Sequence, residues 1–580
     1  MKMQMIMKSI DTVCRQIVRW LGIILVGYLF LQGLFTICCI QRVEEITFFM
    51  SNNVPRQLLG IIVVCAFLKV VGRPYIKTLL DKHGEKITWG LLGIQVIFLC
   101  IWVAMTQFWA NSDMEKIYQY AGMLLAGDYS GWLPGGYPYG CPHQNGLLLM
   151  TAGLLSIFST DQSYIVFYGL NILFYAITIV SLHLALRKLF PQRHVYCAQT
   201  ICLICYLPYA FFVTFLYGNM IGFGFAAMAL TWAIYFVYEP SFPRAIGAGI
   251  CMMFGIIFKQ NEMIIFVAIL GIFLFTWITK QKYNLKCLGQ IAIFLTIVLL
   301  GIKVPNWIVQ SVTDIEVGKG YGNGAYIAMG LMEENATPGW YNGINHELFE
   351  ANGFDTEMTD QASMEIVAER INTFVDDPAY AWNFFNRKIA SEWNNPTFQC
   401  FGIQNARATS LELNSLINST INDGGKLNIV LIYLMDMVQS ITLFGVLIYL
   451  IQMKDMDWGK LLFVICFIGA FVFWMFWEAK CQYVVPFYLL LIPYSILGYR
   501  EMLKLKLIRI SVSRDEEKLR IGMRGMSKLY LVLTILLLLI GIIAMSHNQW
   551  ILDAFKMNHM TQEYYDYIHQ FGQNMMGVRF

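Results

Sequence analysis

From Ile87 to Phe108 the chain carries no charged side chain, and apolar runs of this kind recur along its length. About 20 apolar residues in a helix rising 1.5 Å per residue cover the roughly 30 Å hydrocarbon core of a bilayer. Inside that core the backbone must satisfy its own N–H and C=O groups, so such runs fold as helices. Charged residues make up only 14% of the chain, against about a quarter in soluble domains. The sequence therefore predicts an all-α polytopic membrane protein. The first run, Ile17 to Ile40, lacks a small-residue cleavage site and reads as an anchor, not a removed signal peptide. No lipidation motif and no internal repeat is visible, which weakens an inverted-repeat transporter reading.

Basic residues set the threading. The net charge of +3 hides an asymmetry, because segment 310–427 holds six Lys/Arg against sixteen Asp/Glu. The bases elsewhere cluster in short loops beside apolar runs, the positive-inside pattern, which speaks against a nucleic-acid partner. Lys2, Lys8, Arg15 and Arg19 place the N-terminus in the cytoplasm. Arg73, Lys77 and Lys82 mark the next inner loop, and the following span delivers residue 109 to the outer face. Later inner loops run from Arg187 to Arg193, through Lys280 and Lys282, and from Arg500 to Lys528. Parity then lays the short apolar piece Gly146 to Ser159 at the outer interface or makes it re-entrant.

About 13 spans result, ending with Leu529 to Met545 and an outer C-terminus. The expected units are a transmembrane module over 1–309 with its first outer loop at 109–163, an acidic extracytoplasmic domain over 310–427, a second transmembrane module over 428–546, and an outer tail over 547–580. The acidic domain should be mainly helical, since Ala362, Ile366, Ala368, Ile371 and Phe374 share helical spacing. Trp340, Trp382 and Trp393 supply aromatic area for its core. Lys303 and Asp436 each fall seven to nine residues inside a span, where a lone charge is costly, so they are expected to pair. Cys141 and Cys400 fall in outer segments and leave a disulfide open; no zinc-type CxxC pair occurs.

The first outer loop carries the chemistry. Met114, Ile117, Ala121, Leu124 and Leu125 predict an amphipathic helix over Asp113 to Ala126, with Ser112 and Glu115 as a capping box and Gly127 as its stop. An acid in a first turn is favoured by the helix dipole alone, by about 0.3–1 kcal/mol, so Asp113 has a purely structural explanation. Its neighbourhood offers another. Tyr137, Tyr139 and His143 follow in a loop stiffened by glycine and proline. Such a wall beside a carboxylate suits activation of a hydroxyl. Lys259 and Lys480 break the positive-inside rule, as isolated cations at outer mouths of spans. They either snorkel to headgroups or hold a phosphate. Glu478 orients Lys480, binds acceptor hydroxyls or forms a plain ion pair. Trp474 and Trp477 read first as interfacial belt residues.

Three of these features, in order, resemble the GT-C superfamily of integral-membrane glycosyltransferases, among them protein O-mannosyltransferase-like and aminoarabinose-transferase-like enzymes. Asp113 matches the first-loop aspartate, Phe258-Lys259-Gln-Asn261 the outer lysine between two spans, and Trp477-Glu478-Ala-Lys480-Cys-Gln-Tyr483 a Glu-Ala-x-x-Arg-Tyr pattern before a late span. The chain departs from that pattern at Gln482, where the family has arginine, and at Leu216-Tyr-Gly-Asn219, where many relatives carry an acid. The resemblance implies a GT-C-like helical bundle and a polyprenyl-phosphate-linked sugar donor. It makes Asp113 the general base and Lys259, Glu478, Lys480, Tyr483, His143, Tyr137 and Tyr139 the substrate-binding set. The acceptor would be a cell-envelope glycan, a glycolipid or a protein.

No cofactor is required by this chemistry and a divalent metal is not expected. No nucleotide-binding glycine motif is present either. The alternative is a transporter or flippase of lipid-linked saccharide with Asp436 as its coupling acid, or a scaffold whose acidic domain binds a partner. Short basic loops fit a bacterial plasma membrane, whereas the sequons at Asn335 and Asn418 keep an endoplasmic-reticulum location open.

Overall fold

The computed structural model describes residues 2–40, 47–71, 74–106, 108–280, 284–334, 337–401, 414–453 and 457–504. The expected span Leu529 to Met545 and the tail 547–580 lie outside them. The principal helices are α1 (Lys2–Phe35), α2 (Val54–Val71), α3 (Pro74–Thr106), α4 (Ser112–Ala126), α5 (Asn145–Leu155), α6 (Thr160–Leu189), α7 (Asn219–Tyr238), α8 (Phe242–Phe258) and α9 (Met263–Thr279). There follow α10 (Leu285–Gly301), α11 (Val304–Thr313), α12 (Asn323–Leu331), α13 (Thr356–Asp376), α14 (Pro378–Trp393), α15 (Lys426–Gln452), α16 (Trp458–Phe476) and α17 (Val485–Lys504).

Among the described residues, 8 helices are long and apolar enough to cross a membrane, or up to 9 if the pair Arg193–Ile204 and Leu207–Thr214, bent by 51°, is one span. The protein is thus an all-α polytopic membrane protein. Of the other segments expected as spans, α8 is a shorter apolar helix, and those near 58–72 and 484–497 are helical as α2 and α17 without joining the eight. The piece after Gly146 is the 11-residue helix α5, packed on α4.

The first apolar run corrects the expectation at its end. Helix α1 stops at Phe35, and Thr36–Ile40 (β1) pairs antiparallel with Thr47–Ser51 (β2), Thr36 opposite Ser51. Threonine, isoleucine and phenylalanine suit a pleated, half-buried surface, so the apolar run continues while the backbone changes.

The expected Lys303–Asp436 pair does not form. Lys303 is exposed at the start of α11. Asp436, with 4% of its side chain exposed, pairs instead with Arg56 Nη2 at 2.8 Å and accepts from Asn52 Nδ2 at 3.0 Å and from Gln57 Nε2. A buried carboxylate needs such a set of partners, and the first turn of α2, with Asn52 just before it, supplies them. Nor does the disulfide form: Cys141 and Cys400 are both free thiols.

Two polar ends bound the bundle. At one, Arg193 and His194 bond Asp81, Lys188 pairs with Glu239, and Trp458 Nε1 donates to Asp11. The other end gathers α4, the break between α8 and α9, and most of segment 310–401. That segment is helical as expected, with α13 spanning the residues foreseen. It does not keep a core to itself, however. Ala328, Leu331 and Val367 form a small cluster, while Trp340, Trp393 and Phe398 join the main hydrophobic core of the bundle.

Candidate functional site

A cavity of about 660 Å³ opens at this second end. Its walls come from four distant parts of the chain: the start of α4 with the loop after it, residues 215–217 with the α8–α9 break, the segment 319–345, and the end of α16 with the turn beyond.

Asp113 sits in the first turn of α4, exposed into the opening. The helix runs from Ser112 to Ala126 and buries Met114, Ile117, Tyr118 and Ala121, the stripe that the spacing predicts. Its expected capping box is not built. Asn111 is the N-cap, without a side-chain cap bond, and Ser112 has φ 50, the left-handed region that serine rarely adopts. Backbone strain of this kind costs on the order of 1–3 kcal/mol and clusters at functional sites. Here it turns the residue next to Asp113.

Lys259 and Lys480 share one local plan. Lys259 follows α8 in extended backbone (φ −149, ψ 104) and precedes a 3-10 turn, Gln260–Glu262. Lys480, three residues beyond the C-cap Trp477 of α16, is likewise extended (φ −155, ψ 126) and precedes the 3-10 turn Cys481–Tyr483. A helix that stops leaves its last carbonyls without intrahelical partners. Gly218 makes the first break feasible: a Cβ there would lie 1.9 Å from the Phe258 carbonyl oxygen.

Lys259 Nζ stands 4.2 Å from the ring centre of Tyr217 and 4.9 Å from that of Tyr483, and Lys480 Nζ stands 5.3 Å from that of Trp340. Burial pulls the Lys259 ammonium down to about 8, against the opposing charges of Asp113, Glu478 and Glu262. The field of Asp113 therefore reaches Lys259. Burial and the Lys259 charge together draw the His143 imidazole down to about 4, so it is neutral at pH 7. Burial, and then the neighbouring Tyr217 and Asp113, raise the Tyr137 phenol well above its ordinary value, leaving it a neutral donor.

Of the residues singled out in the sequence, Asp113, Tyr137, His143, Lys259, Glu478, Lys480 and Tyr483 all line this cavity. Tyr139 does not. It packs behind the wall on Phe349, ring centres 6.0 Å apart, with its hydroxyl toward the Phe354 carbonyl at 3.4 Å. Trp474 and Trp477, read as belt residues, line the cavity as well, Trp477 stacked on Tyr326 at 5.3 Å.

Sequence reasoning missed the contribution of segment 319–345. Its Gly-Lys-Gly-Tyr-Gly-Asn-Gly stretch, 318–324, roofs one side, with Tyr321 N bonded to the Gly140 carbonyl at 3.1 Å. Gly320 has φ 81 and a Cβ there would lie 2.7 Å from that same carbonyl, so the two loops can only meet backbone to backbone. The alternating glycines were the available signal.

Buried polar atoms in the lining that find no hydrogen-bond partner among the described residues include Asn261 Nδ2, Asn345 Oδ1, Trp474 Nε1 and Gln482 Oε1. Buried polar groups are paired in nearly all folded proteins, so these mark places for a polar ligand or ordered water. Comparison with known proteins finds no matching family model, no matching curated protein and no matching solved structure.

Proposed function

We propose that the protein is a membrane glycosyltransferase that moves a sugar from a polyprenyl-phosphate donor to an acceptor hydroxyl on the extracytoplasmic face. The observation that carries this reading is the meeting of Asp113 with Lys259 and Lys480 in one cavity, although each comes from a different part of the chain. Two ammonium groups suit the phosphate, and the aromatic faces of Trp340, Tyr326 and Trp477 suit a sugar ring. The unpaired atoms of Asn345, Trp474 and Gln482 suit hydroxyls.

In the proposed reaction Asp113 takes the proton of the acceptor hydroxyl, whose oxygen forms a bond to the anomeric carbon on the side opposite the phosphate. The bond from that carbon to the phosphate oxygen breaks, and its electron pair leaves with the lipid phosphate. Lys259 and Lys480 stabilise the charge that develops there. The anomeric centre inverts. A phosphate needs little protonation to leave, so one carboxylate suffices, unlike the pair used in glycoside hydrolysis. Neutral Tyr137 and His143 orient hydroxyls, and neither a metal nor a nucleotide is called for. Carrier function through Asp436 has less to support it, because that acid is held by Arg56, Asn52 and Gln57 and is not part of the cavity lining.

The test is transfer of a radiolabelled sugar from polyprenyl-phosphate donors by the full chain in detergent. Asp113→Asn removes a general base and should lower turnover by about 10²–10⁴-fold while donor binding persists. Full activity of Asp113→Asn, or no transfer by the wild-type chain from any such donor, overturns the reading.

A further inference from the structure

Behind the cavity, outside its lining, lies a lysine that none of these roles uses. Lys388 is on α14 and has no exposed surface. Its ammonium donates to three carbonyl oxygens: Gly330 at 2.5 Å, Trp477 at 2.7 Å and Met475 at 3.1 Å. An ammonium has three donors and no acceptor, so its capacity is filled. Two of the three carbonyls belong to the end of α16, where helices leave carbonyls unpaired and where a cation is favoured. The third belongs to the end of α12.

One peptide further on, Ala479 N donates to the Gly339 carbonyl at 2.7 Å, and Gly339 N donates to Met332 O at 2.8 Å. Gly339 also packs against the Lys388 stem. The turn 475–480 is thus gripped by Lys388 and by the 330–340 segment. Its outward residues are Glu478 and Lys480, which line the cavity.

We propose that Lys388 is a positioning residue: it fixes the Trp477–Lys480 turn and so sets where Glu478 and Lys480 point. Its effect on catalysis rests on the transferase reading; the anchoring of the turn does not. A hydrophobic side chain would fill the same space without the cost of burying a charge, but only an ammonium can tie three carbonyls from two helices at one point. The titratable groups facing it are Glu392 on its own helix, whose carboxyl burial pushes well above its ordinary value, and Glu478 across the turn. Burial draws Lys388 down to about 8, which still leaves the ammonium the main form at pH 7.

Hydrogen–deuterium exchange on the full chain in detergent tests this without any substrate. In Lys388→Met the amides of 477–484 should exchange at least about tenfold faster, the loss expected for one charge-assisted hydrogen bond. Amides of α15 should keep their protection, and Lys388→Arg should restore part of the lost protection. Unchanged exchange in the turn overturns the proposal. So does protection lost equally from α15, which would make Lys388 a general core residue. Given transfer activity, Lys388→Met should lower kcat/KM for the lipid donor by about tenfold with kcat falling too, because the misplaced Lys480 stabilises charge that develops on the departing phosphate, and Lys388→Arg should recover part of both. A chain that transfers no sugar yet loosens only at the turn sinks the transferase reading and keeps the positioning role.

Discussion

At the scale of single residues, the state of Lys259 decides when the cavity can hold an anion. Its ammonium is flanked by Tyr217 and Tyr483 and drawn down to about 8 by burial. Below pH 8 it is charged and available to a phosphate; above, it is progressively neutral and the attraction fades. Affinity for a polyprenyl monophosphate in micelles should therefore fall between pH 7 and pH 9, by about tenfold if Lys259 carries one charge-assisted contact. Lys259→Arg, charged throughout this range, should flatten the profile. An equal fall in that variant assigns the titration elsewhere, Lys388 being the first candidate. His143, drawn down to about 4, should contribute nothing between pH 6 and pH 9. The chemistry-bearing residues were legible in the sequence because a lone charge beside an apolar run is conspicuous. Their pairing with the rings of Tyr217 and Trp340 was not, since nothing in local spacing says which aromatic ring will face a given lysine once the chain has folded.

At the scale of elements, helices follow from apolar length, while their ends and partners do not. Hydropathy does not distinguish α1 from β1, because the run from Ile17 to Ile40 stays apolar across the change of backbone. In the same way, an intramembrane acid announces that it needs a partner without naming it. Lys303 was the expected choice for Asp436, but the packing of α2 on α15 brings Arg56 to it, with Asn52 and Gln57 completing the set. Asp436→Leu alone should destabilise the protein by about 2–3 kcal/mol, because Arg56, partly exposed and still bonded to Asn52 Oδ1, loses its counter-charge while Asn52 and Gln57 lose their acceptor. The double change Arg56→Met with Asp436→Leu should recover most of that loss, and Lys303→Ala should leave stability unchanged. Denaturation in detergent measures all three. A double variant no more stable than Asp436→Leu would show that the two helices are not joined through this pair.

At the scale of the whole molecule, the two polar ends differ in charge and in what they hold. Lys77 and Lys82 are exposed near Asp81, at the end where α1 begins and α6 stops. Asp113, Lys480 and the acidic segment lie at the other end, where Lys319, 73% exposed, pairs with Glu357 beside the cavity mouth. Charge bias in short loops orients membrane proteins with the basic end inward, so the cavity should face outward. A membrane-impermeant amine reagent applied to intact cells should then modify Lys319 and leave Lys77 and Lys82 untouched until the membrane is opened. The Lys319–Glu357 contact is an exposed ion pair and gives little shielding against such a reagent. The reverse pattern would put the cavity on the cytoplasmic side. The local geometry of Asp113, Lys259 and Lys480 would survive that result, but a donor displayed in the outer leaflet could not reach them, and the proposed direction of transfer would fall with it.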